Sequence, residues 1–278
     1  MSKTSLLLLG TGTPNCEADK AQTSSAVIVD NFPYIVDCGG GTVQRMAEAQ
    51  GKGHTALESP NLTRIFLTHL HPDHVVGLAD FIIAPWVRRR TEPVHIYGPK
   101  GTEEMVANLL KAFQIGIGEH DHGLAPITAP IGAIAHEYDA GIIYEDERVN
   151  VEAFRVAHGG LDAFGLKFIS EDKTIVFSGD TGPVDILKEK AKGCDILVHE
   201  VYCKKALDQR DAGWQGYHTV AHTSGIDVGK IANEAQPDLV VLHHVLLWGL
   251  ATENELLAEI SSEYDGAVWL GKDLDYIT

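Results

Sequence analysis

Six short apolar segments of this chain are each followed, within three residues, by a histidine or an aspartate. The segments are rich in Val, Ile, Leu and Phe, a composition typical of buried strands. The polar residues that follow them are, in chain order, Asp37, His69, His158, Asp180, His199 and His243. Strands that lie side by side bring the residues at their carboxyl ends to one edge of a sheet. The pattern therefore predicts a sheet protein with one polar, histidine-rich edge.

Helical periodicity recurs between groups of strands and does not follow every strand. Strands are predicted at residues 5–9, 26–29, 34–36, 64–67, 94–97, 142–144, 151–156, 164–169, 174–177, 196–198, 239–242 and 267–270. Helices are predicted at residues 43–49, 102–113, 184–191, 226–235 and 252–264. This alternation favours an α/β sandwich over a barrel or a Rossmann sheet. Residues 116–141 show no periodicity, and we predict an irregular loop there.

Length and composition predict one domain over residues 1–278, because 44% of the residues are hydrophobic and no Pro/Ser-rich linker interrupts them. No apolar stretch approaches the roughly 20 residues that a membrane-spanning helix needs. The run of four leucines at residues 6–9 is too short for a signal-peptide core. We therefore expect a cytoplasmic protein with no membrane partner.

Charge and cysteine content exclude further classes. The formal net charge of −17 disfavours a broad surface for nucleic acid. The four cysteines, at positions 16, 38, 194 and 203, have no CxxC spacing, which favours reduced thiols over disulfides. The 14 histidines are the unusual feature, since many lie in short clusters beside acidic residues, as in a metal site.

The strongest single motif is Thr-His-Leu-His-Pro-Asp-His at residues 68–74. In extended backbone, His69 and His71 point to the same side, so both imidazoles can bind one cation. A proline then turns the chain, which directs Asp73 and His74 towards a second cation. Without a metal, four ligand-type side chains this close together would be costly to desolvate.

The motif His-x-His-x-Asp-His resembles the signature of the metallo-β-lactamase fold superfamily, and the resemblance covers nearly the whole chain. Segments 10–14, 36–41, 97–101, 157–160, 177–181 and 242–245 match it in order and context. The Gly-Thr-Gly-Thr-Pro and Tyr-Gly-Pro segments are similar to those of the ribonuclease Z and arylsulfatase branch. The resemblance implies an α/β fold, a four-layer αββα sandwich.

The resemblance also implies two divalent metal ions, expected to be zinc, although His/Asp ligands also suit manganese or iron. The ligands expected for the first ion are His69, His71 and His158. Those expected for the second ion are Asp73, His74 and His244, with Asp180 bridging the two ions. The choice of His244 over its neighbour His243 depends only on the alignment of Leu-His-His-Val with the terminal ligand of the family. Asp37 is expected to orient a ligand imidazole.

Glu200 and His222 match a Glu–His dyad that ribonuclease Z-like proteins place near the leaving group. A glutamate that holds a histidine keeps it protonated and ready to donate a proton. The alternative is structural: His222 caps the helix that starts near Ser224, and Glu200 pairs with a surface base.

The implied activity is hydrolysis of a small ester by a hydroxide that bridges the metals, with Asp73 steering the hydroxide and accepting its proton. A phosphodiester or an aryl sulfate is the expected substrate. A β-lactam is disfavoured, because no cysteine occupies the ligand position of the common zinc β-lactamases. Alternatives are a carboxyl-ester or lactone hydrolase, a tRNA 3′-processing endoribonuclease, or a non-catalytic metal-dependent ligand-binding module.

Only the five residues 169–173 separate the apolar segments 164–168 and 174–177, whereas tRNA-processing members of the branch carry a long Gly/Pro-rich arm in this region. Together with the acidic charge, this predicts a small-molecule partner and not nucleic acid. A homodimer is expected from the branch.

The arginine run at residues 88–90 and three histidines outside the motif are assigned no role in the site. The arginines at residues 88–90 are read equally well as cations for an anionic substrate or as a solvated run at a helix end. His120, His122 and His136 match no ligand spacing and are interpreted as loop histidines.

Overall fold

The computed structural model describes residues 3–122 and 129–278, without the side chains of residues 121 and 122. The chain forms two compact units. The N-terminal unit comprises residues 3–10, 16–138 and 273–278, and the C-terminal unit comprises residues 11–15 and 139–272. The expectation of a single domain over the whole chain stays a prediction.

The N-terminal unit contains a mixed sheet of seven strands. In chain order they are β1 (Thr4–Gly10), β2 (Ser24–Val29), β3 (Phe32–Val36), β4 (Arg64–Phe66), β5 (Val94–Gly98), β6 (Ala133–Glu137) and β14 (Tyr276–Ile277). The order across the sheet is β14-β1-β2-β3-β4-β5-β6. Pairing is antiparallel from β14 to β3 and parallel from β3 to β6.

Helices of mixed polarity accompany this sheet among the described residues of the unit. They are α1 (Thr42–Gly51), α2 (Pro72–Val75), α3 (Leu78–Val87), α4 (Thr102–Ala112) and α5 (Gln114–His122). Two short 3₁₀ turns lie at Thr55–Leu57 and Ser59–Asn61. Ile35 and Ile65 of neighbouring strands and Phe81 of α3 are fully buried in one core cluster. Burying such side chains stabilises the unit by about 1.5–3 kcal/mol for each one.

Parallel pairing of β3 and β4 brings the ends of both strands together. Val36 lies opposite Phe66 in the register. The backbone N–H of Asp37 continues the ladder by donating to the carbonyl of Phe66 at 2.9 Å. Asp37 therefore leaves the sheet beside Thr68, which is where the histidine motif begins.

The C-terminal unit contains the second mixed sheet of seven strands. They are β7 (Gly141–Glu145), β8 (Val149–His158), β9 (Leu161–Ser170), β10 (Thr174–Phe177), β11 (Ile196–Tyr202), β12 (Leu239–Leu246) and β13 (Val268–Leu270). They lie in the order β13-β12-β11-β10-β9-β8-β7. The pairing is antiparallel from β7 to β10 and parallel from β10 to β13.

Five helices belong to this unit. They are α6 (Asp185–Lys190), α7 (Lys204–Leu207), α8 (Ala212–Ala221), α9 (Gly225–Ala235) and α10 (Glu253–Ser261). In the parallel part of the sheet, Phe177, Val198 and Val241 share one register. The polar residues after β10 and within β11 and β12 therefore come out at the same edge, as the sequence pattern predicted.

The prediction of an irregular loop at residues 116–141 is wrong for much of that stretch. Helix α5 extends through His122, strand β6 covers 133–137, and β7 begins at Gly141, while residues 123–128 lie outside the described residues. Strand β6 has a weak pattern of its own and is defined by its parallel pairing with β5. His136 is consequently a strand residue, and its Nε2 lies 2.9 Å from Nδ1 of His95.

Arg90 fits neither interpretation of the arginine run. Its side chain is buried, and its guanidinium donates to the carbonyls of Leu62, Phe81 and Ile82 at 2.8–3.2 Å. Burial lowers its pKa to about 10. Arg90 therefore satisfies backbone acceptors inside the N-terminal unit, which single-sequence reasoning could not distinguish from a solvated charge.

Helix α3 was missed because its sequence is apolar on almost every face and so has no helical period. In the described part of the chain, no helix is long and apolar enough to cross a membrane.

Candidate metal centre

The turn after β4 and the short helix α2 together place the four ligand-type residues of the histidine motif close to one another. Nε2 of His69 lies 3.1 Å from Nδ1 of His71. The rings of His69 and His74 have centroids 4.1 Å apart. Nε2 of His74 lies 3.6 Å from a carboxylate oxygen of Asp73. All of these residues except His71 are buried, so the motif gathers its donors inside the N-terminal unit.

Asp37 holds this cluster through a hydrogen-bond network, in agreement with the predicted role of an imidazole acceptor. Its Oδ1 accepts the backbone N–H of Thr68 and its Oδ2 accepts the Thr68 hydroxyl, each at 2.8 Å. Its Oδ2 also lies 2.8 Å from Nδ1 of His74. Because a carboxylate only accepts, the proton of this neutral imidazole lies on Nδ1 and the lone pair on Nε2.

Thr68 fixes the position of the ring proton of His69 in the same way. Its hydroxyl lies 3.0 Å from Nδ1 of His69 and gives its only proton to Asp37. The hydroxyl must therefore accept from His69, which places that imidazole proton on Nδ1 and the lone pair on Nε2. The motif pattern predicted no role for Thr68, although this residue directly precedes His69.

The geometry of these donors fits a bound cation. Two nitrogens that are each about 2.0–2.1 Å from one zinc ion in a tetrahedral shell lie about 3.3 Å apart. This is close to the 3.1 Å between the facing nitrogens of His69 and His71. Histidines that donate one ring N–H to a carboxylate or carbonyl are typical of metal sites, because that bond selects the tautomer.

The backbone around Asp37 is unusual in two respects. Asp37 has φ 57°, in the left-handed region that non-glycine residues seldom occupy. A side chain at Gly39 would place its Cβ 2.3 Å from the backbone oxygen of Asp73, so only glycine fits there. The Asp–Cys–Gly turn after β3 is therefore shaped by close contact with the histidine motif.

In the C-terminal unit, Asp180 lies between two histidines. Its Oδ2 is 3.9 Å from Nε2 of His158 and 3.4 Å from Nε2 of His244. Nδ1 of His158 donates to the carbonyl of Ala221 at 2.6 Å, which leaves the lone pair on Nε2. Burial lowers the pKa of His158, which favours the neutral form that binds metals. All three ligand-type side chains are buried.

A bulge in β12 separates the two adjacent histidines of this strand. His243 pairs with Glu200, and Val245 pairs with Val201, so His244 is the extra residue. His244 has φ 46°, and its N–H donates to the carbonyl of Thr11 at 3.0 Å. The bulge re-aims the side chain, as bulges near functional sites commonly do. The structure thus places His244 beside Asp180.

Glu200 and His222 are brought together as predicted. Nδ1 of His222 lies 3.3 Å from Oε2 of Glu200, which is fully buried. Oε1 of Glu200 accepts the backbone N–H groups of Thr181 and Thr223 at 3.2 and 3.0 Å. Two backbone donors therefore fix Oε1 of the carboxylate, and its Oε2 lies beside the imidazole.

The structural alternative for this pair is wrong. The cap of helix α9 is Ser224, whose hydroxyl accepts from the N–H of Asp227. His222 instead follows the last residue of α8 in extended backbone. Ligand-type atoms of Asp180, His222 and His244 all lie within 4.8 Å of one another, so the dyad adjoins the acidic centre of this unit.

Comparison with known proteins identifies the family. A family model described as a beta-lactamase superfamily domain matches residues 34–245, which include every ligand-type residue considered above. The chain belongs to the metallo-β-lactamase fold superfamily. It is 34% identical over 274 residues to Ribonuclease Z of Mycobacterium bovis BCG, covering 97% of this chain and 96% of the relative. It is 33% identical over the same length to Ribonuclease Z of Mycobacterium tuberculosis H37Rv. These matches assign the chain to the ribonuclease Z-like branch of the superfamily.

Solved structures of the superfamily show the same fold. The metallo-beta-lactamase fold protein YhfI from Bacillus subtilis aligns with a TM-score of 0.75 at 16% identity, covering 99% of this chain and all of that one. The short form of human tRNase Z aligns with a TM-score of 0.73 at 20% identity, covering 99% and 98%. The predicted α/β class, with two mixed sheets flanked by helices, is confirmed. The chain is accordingly a metallo-β-lactamase-fold, metal-dependent hydrolase.

We expect Asp37→Asn to weaken metal binding by about 10–100-fold, because an amide cannot accept all the protons that the carboxylate accepts from Thr68 and His74. Competition against a chromogenic chelator measures the affinity. Asp30→Asn is the matched control, since Asp30 is an exposed aspartate with a similar φ of 50°. Equal affinities for the Asp37 variant and the unmodified protein would contradict the orienting role.

Proposed function

We propose that this protein is a dinuclear phosphodiesterase whose preferred substrates are small phosphodiesters. The proposed ligands of one ion are His69, His71 and His158. Those of the other are Asp73, His74 and His244, and Asp180 is shared. Three of the five histidines have the lone pair on Nε2 because Nδ1–H is held by a fixed acceptor, which supports this assignment.

Two divalent cations, proposed to be zinc, would supply Lewis acidity and lower the pKa of a bound water towards neutrality. Side chains of the protein are proposed to accept and donate the protons. The carboxylate of Asp73 lies beside His74, and we propose that it accepts the proton of the attacking water. His222, held by Glu200, is proposed to protonate the departing oxygen.

The observation that carries the proposal is the rigid Glu200–His222 pair beside Asp180. A dedicated proton donor matters most when an alkoxide leaves from phosphorus, because an unprotonated alkoxide is a poor leaving group. A lactone keeps its leaving oxygen tethered and depends less on such a donor. The pair therefore favours phosphodiesters over lactones and over aryl sulfates, whose phenoxide leaves more readily.

RNA is the second candidate substrate, and the relatives favour it. The curated relatives with 32–34% identity over nearly the whole chain are named Ribonuclease Z, which weighs against our expectation that nucleic acid is not a partner. Two features still favour small substrates. Strands β9 and β10 are joined by only the three residues 171–173, and the net charge is −17. Phosphate contacts dominate RNA affinity, and an acidic chain offers few.

A hydrolysis screen of the metal-loaded protein tests this proposal. Bis(4-nitrophenyl) phosphate, 4-nitrophenyl sulfate, an aryl lactone and a precursor tRNA with a 3′ trailer are compared at equal enzyme concentration. We expect kcat/KM to be highest for the phosphodiester and to vanish with a chelator. A higher kcat/KM for the sulfate or lactone would contradict a phosphodiesterase, and a higher value for the precursor tRNA would establish the second candidate. Elemental analysis of the same sample identifies the metal.

A further inference from the structure

Helix α8 and the turn after β12 form an aromatic wall in the C-terminal unit, defined here as Trp214, Tyr217, His218 and Trp248. Trp214 and Tyr217 are 47% and 41% exposed. The Trp214 ring stacks on the His218 ring at 5.6 Å with an interplanar angle of 23°. The His218 ring lies 4.7 Å from the Trp248 ring. Large exposed aromatic side chains in continuous contact are unusual on a surface without a ligand role.

Arg210 fixes the two indoles relative to each other. Its guanidinium carbon lies 4.8 Å from the Trp214 ring and 4.8 Å from the Trp248 ring. A cation between two indole faces attracts both rings. It also places a positive charge beside the wall in a chain whose net charge is strongly negative.

The backbone of Trp248 is held in a strained conformation. Its φ is 51°, in the left-handed region, which is uncommon for a bulky residue and typical of functional sites. Trp248 also contacts the Tyr202 ring at a centroid distance of 6.3 Å. The surrounding rings therefore hold the indole in a position that the local backbone alone would not favour.

The wall is continuous with the proposed proton donor. The His222 ring lies 5.2 Å from the His218 ring and 6.0 Å from the Tyr217 ring. Its Nδ1 faces Glu200. A group that accepts a proton from His222 as it departs is consequently adjacent to the aromatic rings, so the wall lies on the leaving-group side of the site.

His218 offers a polar atom within the wall. It is 6% exposed, and its Nδ1 has no hydrogen-bond partner among the described residues. Burial lowers its pKa to about 4, so the ring is neutral at pH 7 and one of its nitrogens accepts hydrogen bonds. A buried polar atom without a protein partner needs one from a water, an ion or a ligand, and a ligand bound at the wall can supply it.

We propose that the aromatic wall stacks a planar ring of the substrate's leaving half, with His218 bonding to a polar edge of that ring. The inference rests on the proposed phosphodiesterase, because the leaving half is defined by that reaction. A nucleobase and a simple aryl group share the required chemistry. The hydrogen-bonding nitrogen of His218 favours the nucleobase, since a phenyl ring has no polar edge.

Calorimetric titration of the metal-loaded protein with adenosine, phenol and ribose tests the wall without any hydrolysis. We expect adenosine to bind measurably more tightly than ribose, and Trp214→Leu to weaken adenosine binding about tenfold, the scale of one base–aromatic stack. Trp214→Phe keeps an aromatic face and is expected to restore most of the affinity. Trp269→Leu is the matched control, because Trp269 is 50% exposed and lies on β13 outside the wall.

A kinetic comparison supplies the second readout. For a phosphodiester with an adenosine leaving half, Trp214→Leu is expected to raise KM about tenfold with kcat nearly unchanged, and to leave a methyl-leaving analogue unaffected. Adenosine binding that is equal in unmodified protein and Trp214→Leu, or equal for adenosine and ribose, would overturn the inference. Phenol binding as tightly as adenosine would support the wall with an aryl group as its ligand. Trp214-dependent binding without turnover of any phosphodiester would uphold the wall while refuting the proposed function.

Discussion

Replacing Asp180 by asparagine is expected to remove bound metal and to lower kcat/KM by about 10³–10⁴-fold on every substrate the protein hydrolyses. The carboxylate lies within 4 Å of two buried imidazoles, His158 and His244. An amide of the same shape cannot neutralise the cations. Lewis-acid stabilisation is worth several kcal/mol, and about 1.4 kcal/mol corresponds to a factor of ten in rate.

Elemental analysis and steady-state kinetics of the same preparation measure the effect of Asp180→Asn. Asp185→Asn is the matched control, because the Asp185 side chain is 96% exposed and lies in the same unit. We expect the control to keep both metal and activity. Full metal content together with unmodified kcat/KM in Asp180→Asn would refute the shared-ligand assignment.

His222→Ala is expected to lower kcat about 10²–10⁴-fold for a phosphodiester with an alkyl alcohol leaving group. For 4-nitrophenolate the loss should be tenfold or less, because this anion departs without protonation. The structural basis is the Glu200 carboxylate, whose Oε1 is held by two backbone N–H groups while Oε2 faces His222 at 3.3 Å. Measuring kcat for both leaving groups separates a proton donor from a general structural role.

Metal content provides the critical control for this variant. Asp180, His222 and His244 lie within 4.8 Å of one another, so His222 has the geometry of a ligand as well as of an acid. A proton donor leaves the metal content of His222→Ala unchanged. An equal loss of kcat for both leaving groups, accompanied by loss of metal, would refute the acid role. His54→Ala, at a partly buried ring that contacts Tyr276, is the control for a histidine outside the site.

Much of the fold followed from local patterns. All twelve predicted strands are present, because each is a short run rich in apolar residues, which is a property of the segment itself. The missed elements have no such local signal. Helix α8, which carries three of the four residues of the aromatic wall, has exposed aromatic residues where an amphipathic helix would have polar ones, and β6 depends on its partner β5.

Two errors show why single-sequence reasoning stops short of side-chain environments. Arg90 was read as a surface or substrate-facing cation, yet it donates to three backbone carbonyls inside the N-terminal unit. His136 was read as a loop residue, yet it lies in a strand beside His95. In each case a distant segment supplies the partners, and spacing along the chain carries no information about them.

The polar residues that follow the strands predicted the family, the α/β class and the candidate ligands from sequence alone. This was possible because strand periodicity and ligand spacing are local properties. Only the tertiary structure decided the tautomers and the orientations of those side chains. It placed Asp37 against Thr68 and His74, which selects the tautomers, and it inserted the bulge that turns His244 towards Asp180. It also set the aromatic wall beside His222. Hydrogen bonds, bulges and ring contacts between residues far apart in the chain are consequences of packing, so no local pattern encodes them.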